Sequence, residues 1–316
     1  MYLRRFADAC SHLIMVSRGD LAISRRSTVK NACNQVGFYE IPTTDIEDYA
    51  RAGHDPEQVE KVFSQMEGEA NLYLSQILDG RFPPDQDGRF RLSMYTAMQM
   101  ARGWAFRDDL QTLAELTAPD YIAMTVTPER VRGLLRQSGR PHADSDVEAM
   151  MARLTGPGGP RPVLRQGHYV QFMLGAAMNL LMPVLWSRVW RLLDFGLPCL
   201  LTSDEPVVVW RPEGMTVGPA NSPAIWFPID RQHALAFTRQ GEEKIVHSGL
   251  TRARQINSMV ASQAQRWIFH HPDDGHLLDL DIQPQMKLAS EVIPVQHGED
   301  VAGEIHRIIR RPVRMA

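Results

Sequence analysis

Hydrophobic residues recur with a helical period between about residues 55 and 195. Residues 55–78 read DPEQVEKVFSQMEGEANLYLSQIL, with apolar residues every three or four positions. Asp55 is the predicted N-cap of this helix and Pro56 its first residue, because aspartate accepts the free backbone N–H groups and proline lacks one. Further helices are predicted over residues 89–116, from Thr127-Pro128, near Ser145 and over residues 168–195. The pattern therefore predicts a large helical body.

After Pro198 the hydrophobic period falls to two, which predicts strands at residues 199–202, 206–210, 224–229 and 233–238. A final helix is predicted over about 250–270, and the polar tail after His270 as mostly loop. Two short apolar runs around Arg18-Gly19-Asp20 predict an N-terminal hairpin. The expected fold class is α+β, with a large helical body and a small, mainly antiparallel sheet joined by the N-terminal hairpin. We expect a single domain over residues 1–316.

Composition narrows the class of protein. Hydrophobic residues make up 44% of the 316-residue chain and charged residues 22%, and the formal net charge is −3. These values are typical of globular proteins and confine any nucleic-acid site to a local patch. The apolar run at 172–186 is too short to span a bilayer, and the first 20 residues lack an apolar signal core. We therefore expect a soluble cytoplasmic protein.

The cysteines do not indicate a metal site. Cys10, Cys33 and Cys199 are odd in number and far apart, as in proteins of a reducing compartment. The segment RWIFHHPDDGH at residues 266–276 contains histidines and aspartates, but adjacent side chains in such a loop rarely converge on one ion. No Walker A, G-x-G-x-x-G, G-x-S-x-G or H-E-x-x-H motif occurs. The expectation is no metal and no cofactor.

A polar stripe runs along the helix predicted at 89–116. Offsets of four, four and three place its members on one helical face. The stripe consists of Arg91, Tyr95, Gln99 and Arg102. Glu60 and Glu67 share a face of the preceding helix. These residues predict either a structural ion-pair network or an arginine clamp for an anionic ligand with a carboxylate beside it.

A second polar group interrupts the strand-rich segment LLTSDEPVVVW at residues 200–210. Thr202, Ser203 and Asp204 lie between two apolar runs, just before Pro206 restricts Glu205 to extended geometry. The triplet is compatible with two structures. Asp204 caps backbone amides in a turn, or the triplet faces a cleft at the end of a strand.

Several segments, in order, resemble domain-of-unknown-function family 4238 of bacteria and fungi. They are YLRRFAD, VKNACNQVGFY, VEKVFSQMEGEANLYLSQI, RFRLSMYTAMQMARG, LLTSDEPVVVW, FPIDRQHALAF, and the late IN with AQRWIF. The resemblance covers nearly the whole chain. The family pattern falls on Arg4, Phe6, Tyr39, Glu67, Arg91, Gln99, Arg102, Thr202, Ser203, Asp204, Pro206 and Asn257. Members usually carry a His-Tyr-Val-Pro segment before the first of these stretches, so no role is carried over for that histidine.

Some fungal proteins similar to this family are arginine-containing cyclodipeptide synthases, which use aminoacyl-tRNAs. The resemblance therefore implies an aminoacyl-tRNA-dependent transferase that forms peptide bonds. Its catalytic candidates are Asp204, Glu67 and Ser203, and its substrate-binding candidates are Arg91, Gln99, Arg102, Thr202, Asn257 and Arg4. A local patch would contact tRNA phosphates. The patch consists of Arg130, Arg132, Arg136, Arg140, Arg153, Arg161 and Arg165.

Two other classes of function use the same residues. A metal-dependent nuclease or phosphodiesterase of a defence or toxin system would hold Mg²⁺ with Asp204 and Glu67. A non-catalytic module would clamp an anion between Arg91 and Arg102. The sequence leaves both alternatives open.

Overall fold

The computed structural model describes residues 2–32, 38–39, 55, 57–156, 159–212, 218–297 and 300–312. The chain forms two compact units. The first unit comprises Met1–Arg107, Gln166–Met286 and Pro312–Ala316, and the second comprises Asp108–Arg165 and Lys287–Arg311. One domain over residues 1–316 stays a prediction.

Several observed helix boundaries lie close to those predicted from the 3.6-residue hydrophobic period. In chain order they are α1 (Val29–Ala32), α2 (Gln58–Leu78), α3 (Gln86–Ala101), α4 (Trp104–Thr125), α5 (Pro128–Gln137), α6 (Asp144–Thr155), α7 (Gln166–Ala176), α8 (Met182–Ser187) and α9 (Leu250–Gln263). A single π-helical turn, Ala177–Leu181, joins α7 to α8. The helix predicted from Thr127-Pro128 is α5, and the Thr127 hydroxyl caps it, since it accepts the Arg130 backbone N–H.

Two predicted helices differ from the structure. The first begins at Gln58 rather than just after Asp55, whose carboxylate accepts the Glu57 backbone N–H. The second, predicted over 89–116, breaks at Arg102-Gly103 into α3 and α4. Glycine disfavours a helix interior, and here it coincides with the break.

The strands form three sheets among the described residues. In chain order they are β1 (His12–Ser17), β2 (Ser24–Thr28), β3 (Val189–Asp194), β4 (Thr202–Ser203), β5 (Val208–Val209), β6 (Ala224–Pro228), β7 (His233–Thr238), β8 (Lys244–His247), β9 (Trp267–His270), β10 (Met286–His297) and β11 (Asp300–Pro312). Their orders are β2-β1-β9-β4, β5-β6-β7-β3-β8 and β10-β11. In the first two sheets every pair is antiparallel except β3 with β8, which is parallel.

The fold class α+β is confirmed, and so is the N-terminal hairpin, which is β1 with β2. Three predictions about single elements are wrong. The helix predicted over 168–195 ends at Ser187, since Val189–Asp194 pairs with β7 and β8. The final helix ends at Gln263, because residues 267–270 pair with β1. The tail after His270 contains the long strands β10 and β11 rather than mostly loop.

The core of the first unit brings the N-terminal segment against α2, α3 and β6. Tyr2 and Phe6, on a short 3₁₀-helix Tyr2–Phe6, are buried in this core, and the Tyr2 ring stacks on Phe227 at 5.2 Å. Burial of these rings stabilises the segment, because aromatic side chains each remove a large apolar area from water. The fold thus positions Tyr2 beside α3.

The continuous helical run Gln166–Ser187 is longer than the apolar stretch at 172–186. By length and composition alone it could cross a membrane, with a mean hydropathy of 1.4 over its most apolar window. Core helices of water-soluble proteins pass the same test. The run is therefore weak evidence for a membrane span.

Candidate functional site

An ion pair between α2 and the end of α3 is the centre of the candidate site. Arg102 follows the last helical residue of α3, and its guanidinium donates a hydrogen bond to Glu67 of α2 at 2.7 Å. The side chains are 26% and 25% exposed, so the pair is partly open to solvent. This confirms that Glu67 and Arg102 meet, as their helical faces predicted.

The pair fixes the charge of the Glu67 carboxylate. Burial acts to raise the pKa of Glu67, but opposing interactions, of which the positive charge and hydrogen bond of Arg102 are the largest, leave the pKa below its usual value. Glu67 is therefore ionised at neutral pH. A carboxylate with a lowered pKa is a weak base, which suits it to bind a cation better than to abstract a proton.

Tyr95 and Gln99 accompany the ion pair on the buried face of α3. They are 4% and 2% exposed, and burial raises the pKa of Tyr95, so its phenol stays neutral. The Gln99 amide nitrogen, Nε2, has no hydrogen-bond partner among the described residues. A buried amide without a partner is costly, and such a group in a native structure calls for an explanation.

Tyr39 also contacts Arg102. Its hydroxyl donates to the Arg102 carbonyl at 3.4 Å, and its ring packs edge-on against Phe63 of α2 at 4.8 Å. Burial raises the pKa of Tyr39 as well. We call Tyr39, Glu67, Tyr95, Gln99 and Arg102 the Glu67–Arg102 cluster.

Tyr2 connects the cluster to the strand that contains Thr202. The Tyr2 hydroxyl donates to the Pro228 carbonyl at 2.7 Å and lies 2.7 Å from the Thr202 hydroxyl, which is then the donor of that second hydrogen bond. Burial raises the pKa of Tyr2, while the hydrogen bond with Thr202 and the positive charge of Arg102 act to lower it. Thr202, a predicted substrate-binding residue, therefore reaches the neighbourhood of the cluster through Tyr2.

Glu205 is a buried carboxylate that sequence reasoning missed. It is 3% exposed, and it accepts the Ala105 backbone N–H at 3.0 Å in the first turn of α4. A Cβ at residue 103 would collide with this carboxylate, so Gly103 provides the space that it occupies. Negative charge at a helix N-terminus is favourable. Gly103, inside the predicted 89–116 helix, was the sequence signal for the break between α3 and α4. It gave no indication that Glu205 lies there.

Ser203 and Asp204 have structural partners. The Asp204 carboxylate accepts three backbone N–H groups, from Gln265 at 2.9 Å, Arg266 at 2.8 Å and Trp267 at 3.1 Å. Burial raises the pKa of Asp204, while these donors act in the opposite direction. The Ser203 hydroxyl accepts the Glu205 backbone N–H at 3.1 Å. Of the two structures that the sequence left open, this geometry favours the capping turn.

Ser203 lies at the edge of its sheet, and Asp204 follows it. β4 is an edge strand, paired only with β9 within the described sheet. The Asp204 side chain faces the turn between α9 and β9. A catalytic role for either residue stays a prediction that this geometry does not favour.

Besides Thr202, three predicted binding residues lie outside the cluster. Arg91 is 40% exposed and pairs with Glu69 and Asp87, so the prediction that it meets Glu67 is wrong. Arg4 is exposed. Asn257 is buried, and its side chain bonds the backbone of Cys199 and Leu201 at 2.8 and 3.1 Å, which ties α9 to the chain before β4.

The predicted RNA-facing arginines lie in the second unit. Arg132 pairs with Asp144 at 2.6 Å and is half-buried. The exposed members of the patch are Arg130, Arg136, Arg140, Arg153, Arg161 and Arg165. The patch is therefore accessible in this unit, as binding to phosphates requires.

The segment 266–276 does not gather its histidines and aspartates around one point. Asp274 binds the Arg231 guanidinium through both oxygens, at 2.7 and 2.8 Å. The His271 ring accepts the Asp273 backbone N–H at 3.2 Å. The prediction of a loop is wrong here, because residues 267–270 form β9, Pro272–Leu278 forms a 3₁₀-helix, and His270 and Asp274 are buried.

The fold and the cluster define an α+β protein with a partly buried ion pair between two long helices. The chain belongs to the family described as Protein of unknown function (DUF4238), whose sequence profile matches residues 1–274. This confirms the family resemblance. No curated protein and no solved structure gives a significant match to the chain.

Proposed function

We propose that this chain is an aminoacyl-tRNA-dependent transferase that forms peptide bonds, similar to arginine-containing cyclodipeptide synthases. The observation that carries the proposal is the Glu67–Arg102 pair, which is partly open to solvent and is accompanied by buried Tyr95 and Gln99. A partly buried ion pair is weak evidence for stability alone, because desolvation offsets much of the Coulomb attraction. Binding of a polar substrate would explain why a partly buried ion pair is present here.

Glu67 would hold the positive charge of an amino-acid substrate. Its carboxylate is ionised because Arg102 keeps its pKa low. An ammonium or guanidinium group binds such a carboxylate through charge-assisted hydrogen bonds. We therefore assign Glu67 to substrate binding, rather than to the catalytic role that the sequence suggested.

Tyr95, Gln99 and Arg102 would stabilise the oxygen on which negative charge develops. In peptide-bond formation the amine nitrogen attacks the ester carbonyl carbon of the aminoacyl-tRNA. The C–N bond forms, the bond to the tRNA ribose oxygen breaks, and that oxygen takes up the proton that the amine loses. The neutral Tyr95 phenol and the Gln99 amide are hydrogen-bond donors, and preorganised donors of this kind lower such barriers by about 3–4 kcal/mol each.

The two alternatives receive less support from the geometry. A Mg²⁺ site made of Glu67 and Asp204 needs both carboxylates to turn toward one ion. The Asp204 carboxylate already accepts three backbone N–H groups, from residues 265–267, so it does not turn toward such an ion. An anion clamp of Arg91 and Arg102 needs the two guanidinium groups together, yet Arg91 is paired with Glu69 and Asp87.

The test is an untargeted comparison of small molecules from cells expressing the wild type and two matched variants. Glu67→Gln removes the charge from the cluster, and Glu60→Gln makes the same change at an exposed position of α2. We expect new small peptides in cells with the wild type and with Glu60→Gln, and a loss of roughly 10²-fold or more with Glu67→Gln. No new peptide with the folded wild type would refute the proposal, as would RNA cleavage by the purified chain that EDTA abolishes.

A further inference from the structure

We propose that Asp8, Cys10 and His12 form a binding site for a divalent transition-metal ion of the zinc type. These residues alternate along the turn between the Tyr2–Phe6 segment and β1. One ligand atom from each lies within 4.8 Å of the other two. Carboxylate oxygen, thiolate sulfur and imidazole nitrogen are the donor types by which proteins bind Zn²⁺.

The separations suit a tetrahedral ion. Bonds of about 2.0–2.3 Å place the ligand atoms of a tetrahedral zinc roughly 3.3–3.8 Å apart. His12 Nδ1 and Asp8 Oδ1 are 3.7 Å apart, within that range. The remaining separations need to close by no more than about 1 Å. Three protein ligands leave the fourth position for water or another ligand.

The imidazole nitrogen supports the site independently. His12 Nδ1 is shielded from solvent and has no hydrogen-bond partner among the described residues. Neutral imidazole offers one nitrogen as an acceptor, so a nitrogen without a hydrogen bond that lies 3.7 Å from a carboxylate oxygen can ligate a metal. Cys10 is exposed, which gives an ion access from solvent.

The backbone holds the three residues in place. The Asp8 carboxylate accepts the backbone N–H groups of Cys10 at 2.9 Å and His12 at 2.8 Å. The Asp8 N–H donates to the His12 carbonyl at 2.8 Å, which closes the turn.

Arg26 of β2 competes for the same carboxylate. Its guanidinium lies 2.7 Å from the second Asp8 oxygen, and its side chain is 58% exposed. A bound cation would replace Arg26 as the counter-charge of Asp8. Removing the arginine should therefore strengthen metal binding, whereas an ordinary stabilising salt bridge predicts no such gain.

Metal binding here would anchor the segment that positions Tyr2. The 3₁₀-helix carrying Tyr2 and Arg5 ends two residues before Asp8. Arg5 donates hydrogen bonds to Asn71 and Ser75 of α2 at 2.9 and 3.0 Å. The inference does not depend on the proposed transferase function. The spacing of the cysteines relative to one another does not indicate this site, because its other two ligands are an aspartate and a histidine.

Titration of the metal-free full-length chain with Co²⁺ tests the site, because a thiolate bound to Co²⁺ gives a charge-transfer absorption band. We expect one Co²⁺ per chain, the band, and displacement by Zn²⁺. Cys10→Ser should abolish the band, and His12→Gln should weaken binding by roughly tenfold or more, since changes even outside the ligand set cost that much.

Controls for this titration come from the chain itself. Cys199→Ser and Cys33→Ser should both keep the band; Cys33 lies outside the described residues. Arg26→Ala should bind Co²⁺ more tightly than the wild type. A band that survives Cys10→Ser, weaker binding by Arg26→Ala, or no saturable binding by the folded wild type would overturn the proposal.

Discussion

The Arg102 guanidinium donates a hydrogen bond to the Glu67 carboxylate at 2.7 Å, and this contact joins α3 to α2. Each side chain is about one quarter exposed. We therefore expect Arg102→Ala to lower the free energy of unfolding by about 1–3 kcal/mol, between the values typical of surface pairs and of buried pairs. Urea unfolding followed by circular dichroism measures this loss.

Arg91→Ala is the matched control for that variant. Arg91 extends from the same helix but pairs at the surface with Glu69 and Asp87. Its removal should cost less than about 1 kcal/mol. Equal losses for the two variants would mean that burial makes no difference to the Glu67–Arg102 pair.

The same pair predicts a pH dependence of stability. The folded-state pKa of Glu67 is lowered, so its contribution is present above the ordinary carboxyl pKa and is lost as the pH falls through the folded value. Glu67→Gln should therefore be less stable than the wild type at neutral pH, and the difference should shrink in acid. Unfolding midpoints from about pH 7 to pH 3 measure it. A difference that grows toward low pH would contradict the direction of the shift.

Asp204→Asn tests whether Asp204 is a capping residue. The two carboxylate oxygens accept three backbone N–H groups, while asparagine has only one acceptor oxygen and a donor in place of the other. We expect a loss of about 1–3 kcal/mol in the free energy of unfolding, with peptide production retained by the folded variant. Loss of product at unchanged stability would make Asp204 a catalytic residue instead.

Local patterns predicted a substantial part of the site. Helical periodicity alone placed Glu67, Gln99 and Arg102 on the facing sides of two helices, since spacing of three and four fixes direction around a helix. The prediction that Arg91 belongs to the same cluster was wrong, because Arg91 forms ion pairs with Glu69 and Asp87 instead. Periodicity identifies a face but not the partner across it.

The parts that failed depend on contacts distant in sequence. Val189–Asp194 continues a helical pattern, yet it pairs along its whole length with β7, 39 to 49 residues later. Asp204 finds its amide partners about 60 residues further on, and Glu205 finds its partner 100 residues earlier. A short sequence segment never contains both members of such a pair. Only the tertiary structure therefore shows whether a residue such as Asp204 caps a turn or lines a functional site.

Gly103→Ala should displace the Glu205 carboxylate from the start of α4. A Cβ at residue 103 would occupy the place of that carboxylate. The expected loss is about 1–3 kcal/mol, because a buried charged acceptor would leave its amide partner. Gly68→Ala is the control, since a Cβ there meets nothing within 4 Å in α2 and should stabilise the helix by up to about 1 kcal/mol. Unchanged stability of the Gly103 variant would show that Glu205 can move freely.

Binding of tRNA to the second unit, if the proposed function is right, should weaken steeply with salt. Each phosphate contact releases counterions, so the logarithm of the affinity falls by roughly 0.7–0.9 per contact for each tenfold increase in salt. Arg136 is exposed, so Arg136→Ala should weaken binding and reduce the slope by about one contact. Arg132 already pairs with Asp144, so Arg132→Ala should change the slope less. Filter binding or fluorescence anisotropy across a salt series measures both slopes. An affinity that does not depend on salt, or a larger effect for Arg132 than for Arg136, would exclude this patch as the tRNA surface.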